Sequence, residues 1–307
     1  MDIMEPLRNR WYSSVSCLIN ELRSPSAVTV DDERQQALLD AQSQSWLEKI
    51  TQLYSEPHRA YHNMTHVKDV IASLDCLIGG LDAPTAEEEA ILILAAFFHD
   101  VIYNPKSSTN EKDSADLFID FAIELSITIT SLQKQQGDST SGDDNDGQAY
   151  IPQQHIRNCN MVVQIEECII ATATHISSAK TAHETQNHTL AIFLDADMSI
   201  LGKDEDVYDK YAGCIRREYE FVEREMYCEK RAVILESFLP LITQDETNVA
   251  STAAASTVKK HSFIYATEKA RQQWEEQARR NLKNEIDMLR RGVIPCEMQK
   301  QVKSNVV

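Results

Sequence analysis

Four short segments concentrate histidine and aspartate in this chain of 307 residues: Tyr61 to Val67 (YHNMTHV), Phe98 to Tyr103 (FHDVIY), Thr172 to His175 (TATH) and Leu194 to Gly202 (LDADMSILG). Imidazole with carboxylate suits Mn, Fe, Co, Ni or Zn, so convergence of such residues would make a divalent cation site. The pair His99-Asp100 is the most informative. It follows nine uninterrupted apolar residues, Ala90 to Phe98, and two ionisable groups at the end of a buried element are costly unless a cation or counter-ion compensates.

The other candidates carry two readings each. His62 and His66 lie four apart, the spacing of one helix face, and His66 leads directly into the apolar series Val67, Val70, Ile71. His62 then caps that helix or touches substrate. In Asp195-Ala196-Asp197 either carboxylate is a potential ligand, and either could instead cap the next helix. His175 follows the apolar stretch Val162 to Ala173 and either enters the same pocket or is a hydrogen-bonded histidine at a helix end. Arg216, Arg217 and Tyr219 can donate to phosphate oxygens, although each arginine alone also fits a surface ion pair. His183 and His188 fall in the polar segment Ser177 to Thr189 and read as exposed loop residues.

The elements that must position these residues are helical. Apolar residues recur at helical spacing almost throughout, and alternating strand-like runs are nearly absent, which predicts an all-α protein. Val67, Val70, Ile71, Leu74 and Ile78 form one face of a helix that should stop at Gly79-Gly80. Pro84-Thr85 opens the next, whose first turn carries Glu87, Glu88 and Glu89 at the positive end of the helix dipole. It runs into Ala90 to Phe98, apolar on every side, and is expected to be the buried central helix. Trp274, Ala278, Leu282, Ile286 and Leu289 repeat the period ahead of Gly292 and Pro295. Lys134 to Gln148 has three glycines and no large apolar residue, so it cannot repay its ordering entropy by burial and reads as a disordered insertion over about residues 134–149. A shorter loop is expected at about 243–258, rich in Thr, Ser and Ala. Candidate ligands lie on both sides of the insertion, which favours one domain, residues 1–307, interrupted by loops.

Composition narrows the class. With 42% hydrophobic and 25% charged residues the chain reads as globular, and nine apolar residues are too few to cross a bilayer core of roughly 30 Å. A membrane partner is therefore not expected. Seven cysteines, odd in number and without any C-x-x-C pair, suggest reduced thiols. Together with a start that lacks a basic, long-apolar leader, they predict a cytoplasmic protein. A net charge of −18 disfavours long nucleic acid as partner, although the stretch from Lys259 onward carries eleven Lys/Arg against six Asp/Glu.

Taken in order, the segments resemble the HD-domain metal-dependent phosphohydrolase superfamily, whose signature is a His, then His-Asp, then a distant Asp. YHNMTHV, FHDVIYNP followed by Asn110-Glu111-Lys112-Asp113-Ser114-Ala115, TATH, FLDADMSILG and Ile215-Arg216-Arg217-Glu218-Tyr219 are similar to a subgroup of predicted HD phosphohydrolases. The resemblance runs from about Tyr61 to about Leu289. It implies an all-α HD-domain helical bundle with His66, His99, Asp100 and Asp197 as metal ligands. Glu111 resembles the acidic residue that follows the HD segment in that family, which implies a role in positioning water or transferring a proton; Asp100 would then bridge or orient that water, and Asp195 is either the ligand in place of Asp197 or a residue supporting it from behind. His62, His175, Arg216, Arg217 and Tyr219 remain the candidates for touching substrate.

The function expected from this set is hydrolysis of a small phosphorylated metabolite, a nucleotide first, through water activated by Mn, Co, Ni, Mg, Fe or Zn. No G-x-x-x-x-G-K-[ST] or G-x-G-x-x-G stretch is present, so ATP-driven transfer and dinucleotide redox chemistry lack a sequence basis. Two alternatives stand beside it. One is a di-iron oxygenase on the same scaffold, with His175 and His183 or His188 completing a second site. The other is a non-catalytic nucleotide-binding protein.

Overall fold

The computed structural model describes residues 4–23, 33–79, 84–136, 156–239 and 263–295. The protein is all-α, and no strand occurs among the described residues. No described helix is long and apolar enough to cross a membrane. The chain falls into two compact units, Met1–Ala173 and Thr174–Val307.

The first unit holds α1 (Met4–Leu22), α2 (Glu33–Leu53), α3 (Met64–Leu77), α4 (Ala86–Phe98), α5 (Asn110–Gln136) and α6 (Asn160–Ala171). As its apolar surround requires, α4 is the central element: every residue from Ala90 to Phe98 is buried, and the helix packs on α1, α3, α5 and α6. Its start is a capping box, in which Glu88 N–H donates to the Thr85 hydroxyl while the Glu88 carboxylate accepts from Thr85 N–H. Trp11 of α1 lies 5.1 Å from the Phe97 ring and 5.4 Å from that of Phe121. Its indole N–H donates to Ser43 Oγ at 2.9 Å, so this buried ring keeps its polar edge satisfied.

Helix α5 extends three residues into the segment expected to be an insertion. Phe118, Phe121, Ala122, Leu125, Ile129 and Leu132 bury one face of it, and the good helix formers Lys134, Gln135 and Gln136 continue the backbone beyond that face. The rest of that insertion, 137–149, and the loop expected at 243–258 lie outside the described residues.

A short 3-10 turn, Thr172–Thr174, precedes the helices of the second unit: α7 (His175–Thr185), α8 (His188–Asp197), α9 (Glu205–Glu218), α10 (Arg224–Phe238) and α11 (Glu276–Arg290). A 3-10 segment, Met198–Gly202, follows α8, and α11 is led in by Glu268–Ala270 and a π turn, Arg271–Glu275. α7 packs on α8 and α10 on α11. Gly202 is required by close approach: a Cβ there would lie 2.7 Å from the Trp274 carbonyl oxygen and 2.9 Å from its Cα. Asn281 pins the same segment by donating to the Leu201 and Lys203 carbonyls, both at 2.8 Å. A buried pair, Arg231 Nε to Glu285 Oε1 at 3.1 Å, ties α10 to α11, and the Tyr208 hydroxyl of α9 donates to the same carboxylate. Gly292 ends α11 region with a left-handed φ of 72°.

The polar segment around His183 differs from the expected loop. His183 lies in the last turn of α7, which ends at a left-handed Gln186 (φ 57°), and His188 opens α8; both side chains are exposed.

Candidate metal centre

In the first unit three donors from α3 and the turn after α4 meet. His66 Nε2 lies 3.1 Å from His99 Nε2, His99 Nε2 lies 3.1 Å from Asp100 Oδ2, and His66 Nε2 lies 3.5 Å from the same oxygen. His66 and His99 are almost wholly buried and Asp100 is partly so. These are the described His, Asp, Glu and Cys residues whose ligand atoms gather within 4.8 Å.

Local sequence explains the arrangement. Asn63 caps α3, its Oδ1 accepting from Thr65 N–H at 2.8 Å, so the first turn of the helix carries His66 on the buried face beside Val67 and Val70. His62 is thereby a residue of the preceding turn. It neither shares the helix face with His66 nor caps the helix, since the shorter Asn63 side chain reaches the free N–H group. His62 remains beside the cluster, its ring 5.8 Å from that of His66 and 4.2 Å from that of Tyr103. At the other side, α4 ends at Phe98 and the chain turns through His99-Asp100. His99 Nδ1–H donates to the Ala96 carbonyl at 3.0 Å, a bond that fixes the ring and leaves Nε2 as the donor atom of the neutral side chain. Ser114 of α5 holds the outgoing strand of the turn, accepting from Ile102 N–H at 3.1 Å and donating to Ile102 O at 3.2 Å.

The donor triangle fits a cation. Two Nε2 atoms at 3.1 Å need a proton or a metal between them, since two lone pairs at that distance repel. Donors about 2.1 Å from an ion stand about 3.0 Å apart at right angles and about 3.4 Å apart at tetrahedral angles, close to the three separations observed. Burial works to raise the Asp100 pKa, but the neighbouring His99 and His62 imidazoles, when protonated, and hydrogen bonds from His66 and His99 outweigh it and hold the carboxyl well below its usual range. Asp100 is therefore an ionised acceptor in this setting.

Glu111 sits partly buried in the first turn of α5; its carboxylate is not one of the gathered donors. Thr109 precedes that helix, and its hydroxyl donates to Asp113 Oδ2 at 2.8 Å. Asn110 instead closes the loop by pairing with the Asn104 backbone at 2.9 and 3.0 Å.

The remaining expected residues lie in the second unit. His175, the first residue of α7, pairs through Nε2 with Asp197 Oδ2 at 2.7 Å at the end of α8. Asp195 is buried with both oxygens engaged, Oδ1 accepting from Ala266 N–H and Oδ2 from Thr267 N–H, each at 2.7 Å. Burial pushes its carboxyl up to about 6, against those bonds, the Thr267 hydroxyl and Arg271. The Arg216 guanidinium donates to the Tyr219 carbonyl at 2.6 Å and lies 4.7 Å above the Tyr227 ring. Arg217 is exposed, and the Tyr219 ring stacks on Phe221.

Arg59 and His58 belong to none of the His/Asp segments in the sequence. Arg59 donates to carbonyls on both sides of the cluster, and His58 Nε2–H donates to the Tyr103 carbonyl at 2.8 Å. Only the position of Arg59, three residues before His62, hinted at a role; an isolated arginine otherwise reads as solvent-facing. Comparison with protein-family models, curated proteins and solved structures found no match to this chain.

Proposed function

We propose that this chain is a metal-dependent phosphohydrolase of the HD type, acting on a small phosphorylated metabolite, with a nucleotide as leading substrate. The observation that carries the reading is the triangle of His66 Nε2, His99 Nε2 and Asp100 Oδ2. A divalent cation held there supplies hydroxide near neutral pH and draws charge from a phosphoryl oxygen. The chain's own contributions follow from its geometry. His66 and His99 present nitrogen donors from rigid, buried positions, and three protein donors leave room for water and substrate, as a catalytic site requires. The Asp100 carboxylate, kept ionised, orients water by accepting its proton in a hydrogen bond. Glu111, at the start of α5, is assigned the transfer of a proton. His62, whose ring lies 5.8 Å from that of His66, remains the proposed substrate contact beside the triangle. No disulfide joins any of the six described cysteines, which fits a reducing, cytoplasmic setting.

Purification without added metal, metal analysis and a phosphatase screen over nucleotides and other small phosphate esters test the proposal. A chelator should abolish phosphate release, and Mn, Co, Ni or Mg should restore it to different extents. One observation favours a second reading: two imidazoles and one carboxylate are also the donor set of non-haem iron oxygenases. Iron in the purified protein, with oxygen consumed and no phosphate released, would replace the hydrolase reading by that one.

A further inference from the structure

Arg59 is buried against the cluster, its side chain fully shielded, and each of its guanidinium nitrogens meets an acceptor. Nε donates to Glu56 Oε2 at 3.0 Å. Nη1 donates to the His62 carbonyl at 3.1 Å and the Asp100 carbonyl at 2.7 Å, and Nη2 donates to the Val101 carbonyl at 2.8 Å. The rings of Tyr54 and Tyr103 flank it at 5.0 and 5.6 Å. One planar group therefore bridges two separate pieces of backbone. His62 belongs to the turn that enters α3 and delivers His66, while Asp100 and Val101 belong to the turn that leaves α4.

We propose that Arg59 is the positioning residue of the metal centre: its fork sets the turn before α3 against the His99-Asp100 turn, so that the three donor atoms meet. The proposal rests on the metal reading of that site. Two features single out this role. Arg59 holds Asp100 by its carbonyl, so the carboxylate stays with the two imidazoles and the guanidinium does not compete for it. In addition, its acceptors are spread around the edge of the group, where a lysine, with one nitrogen on a flexible stem, cannot serve all of them.

The test compares wild type, Arg59→Lys and Glu56→Gln in the metal-free state by histidine-selective 15N spectra, with circular dichroism as the control for folding, and then titrates each with Co(II). Arg59→Lys should displace the His66 and His99 imidazole signals, leave those of His183 and His188 in place, lower Co(II) affinity about 10- to 100-fold and alter the Co(II) absorption bands. Glu56 is about half-exposed, its side chain 40% accessible, so Glu56→Gln should keep the fold and move the same two signals by less. If Arg59→Lys folds and its His66 and His99 signals match wild type, the proposal is overturned. If Arg59→Lys fails to fold, Glu56→Gln decides: displaced signals support positioning, and unchanged signals reduce Arg59 to a structural residue. Failure of wild type to bind Co(II) would sink the metal reading itself, while the imidazole signals would still judge what Arg59 does.

Discussion

At the end of α4, His99 Nε2 and Asp100 Oδ2 face each other at 3.1 Å and both face His66 Nε2. At the end of α8, Asp195 turns both oxygens onto the backbone N–H groups of Ala266 and Thr267, and Asp197 pairs with His175 at 2.7 Å. The residue types are the same, and each set closes a buried helix. What differs is where the acceptors point. Asp195 is saturated by two main-chain donors and ties the approach to α11 onto α8, which is what a structural carboxylate does. The oxygen of Asp100 and the two imidazole nitrogens point at one another, an arrangement that could hold a cation. Burial alone does not separate a ligand from a clamp; the direction of the unshared electron pairs does.

That contrast breaks most visibly under Asp100→Asn, which keeps the size but removes the charge from the donor triangle. Chelator-sensitive phosphate release should disappear while helicity by circular dichroism stays at the wild-type level. On the structural side the largest effect is expected from Gly202→Ala. Its new Cβ meets the Trp274 backbone, and such overpacking costs about 1–3 kcal/mol, readable as a lower Tm. Asp195→Asn leaves one main-chain N–H facing an amide donor and should destabilise by about 1–2 kcal/mol in a denaturant titration.

The same residue sets a pH dependence. Its folded pKa of about 6 lies above the roughly 3.9 of an unfolded aspartate, so the folded state holds more protons between those values. This contribution to stability is fully present below about pH 4 and is lost as pH rises through about 6. Asp195→Asn should remove that decline. An equal gap between wild type and variant at about pH 4.5 and about pH 7.5 would show that Asp195 does not titrate this way. The smallest effect should come from Arg217→Ala, an exposed site where stability should change by no more than about 0.5 kcal/mol. If Arg217 contacts phosphate, KM should rise with the melting temperature unchanged.

The helices nearest the centre were legible because burial leaves a period in the sequence. Ala90 to Phe98, apolar on all sides, is buried throughout, and Val67, Val70, Ile71 and Leu74 form the inner face of α3. Glycines and caps marked the ends of these helices to within a few residues. His66, His99 and Asp100 were legible by type and order. The clamp functions were not. That Asp195 binds N–H groups over seventy positions away, or that Arg59 faces inward, depends on tertiary contacts for which local pattern carries no signal. The π turn Arg271–Glu275 was equally silent, since its composition does not differ from that of the α-helix it precedes. The length of α5 is hidden for a related reason: the polarity of Lys134 to Gln136 predicts disorder, whereas these residues extend a helix already anchored by Leu132.

Equilibrium dialysis of the wild-type protein and of His99→Ala against Mn(II), with metal quantified per folded chain, tests the central claim most directly. The donor triangle predicts stoichiometric metal in wild type and loss of it in His99→Ala at unchanged helicity. Full retention of the metal by His99→Ala, and likewise by Asp100→Ala, would place the site elsewhere and contradict the account.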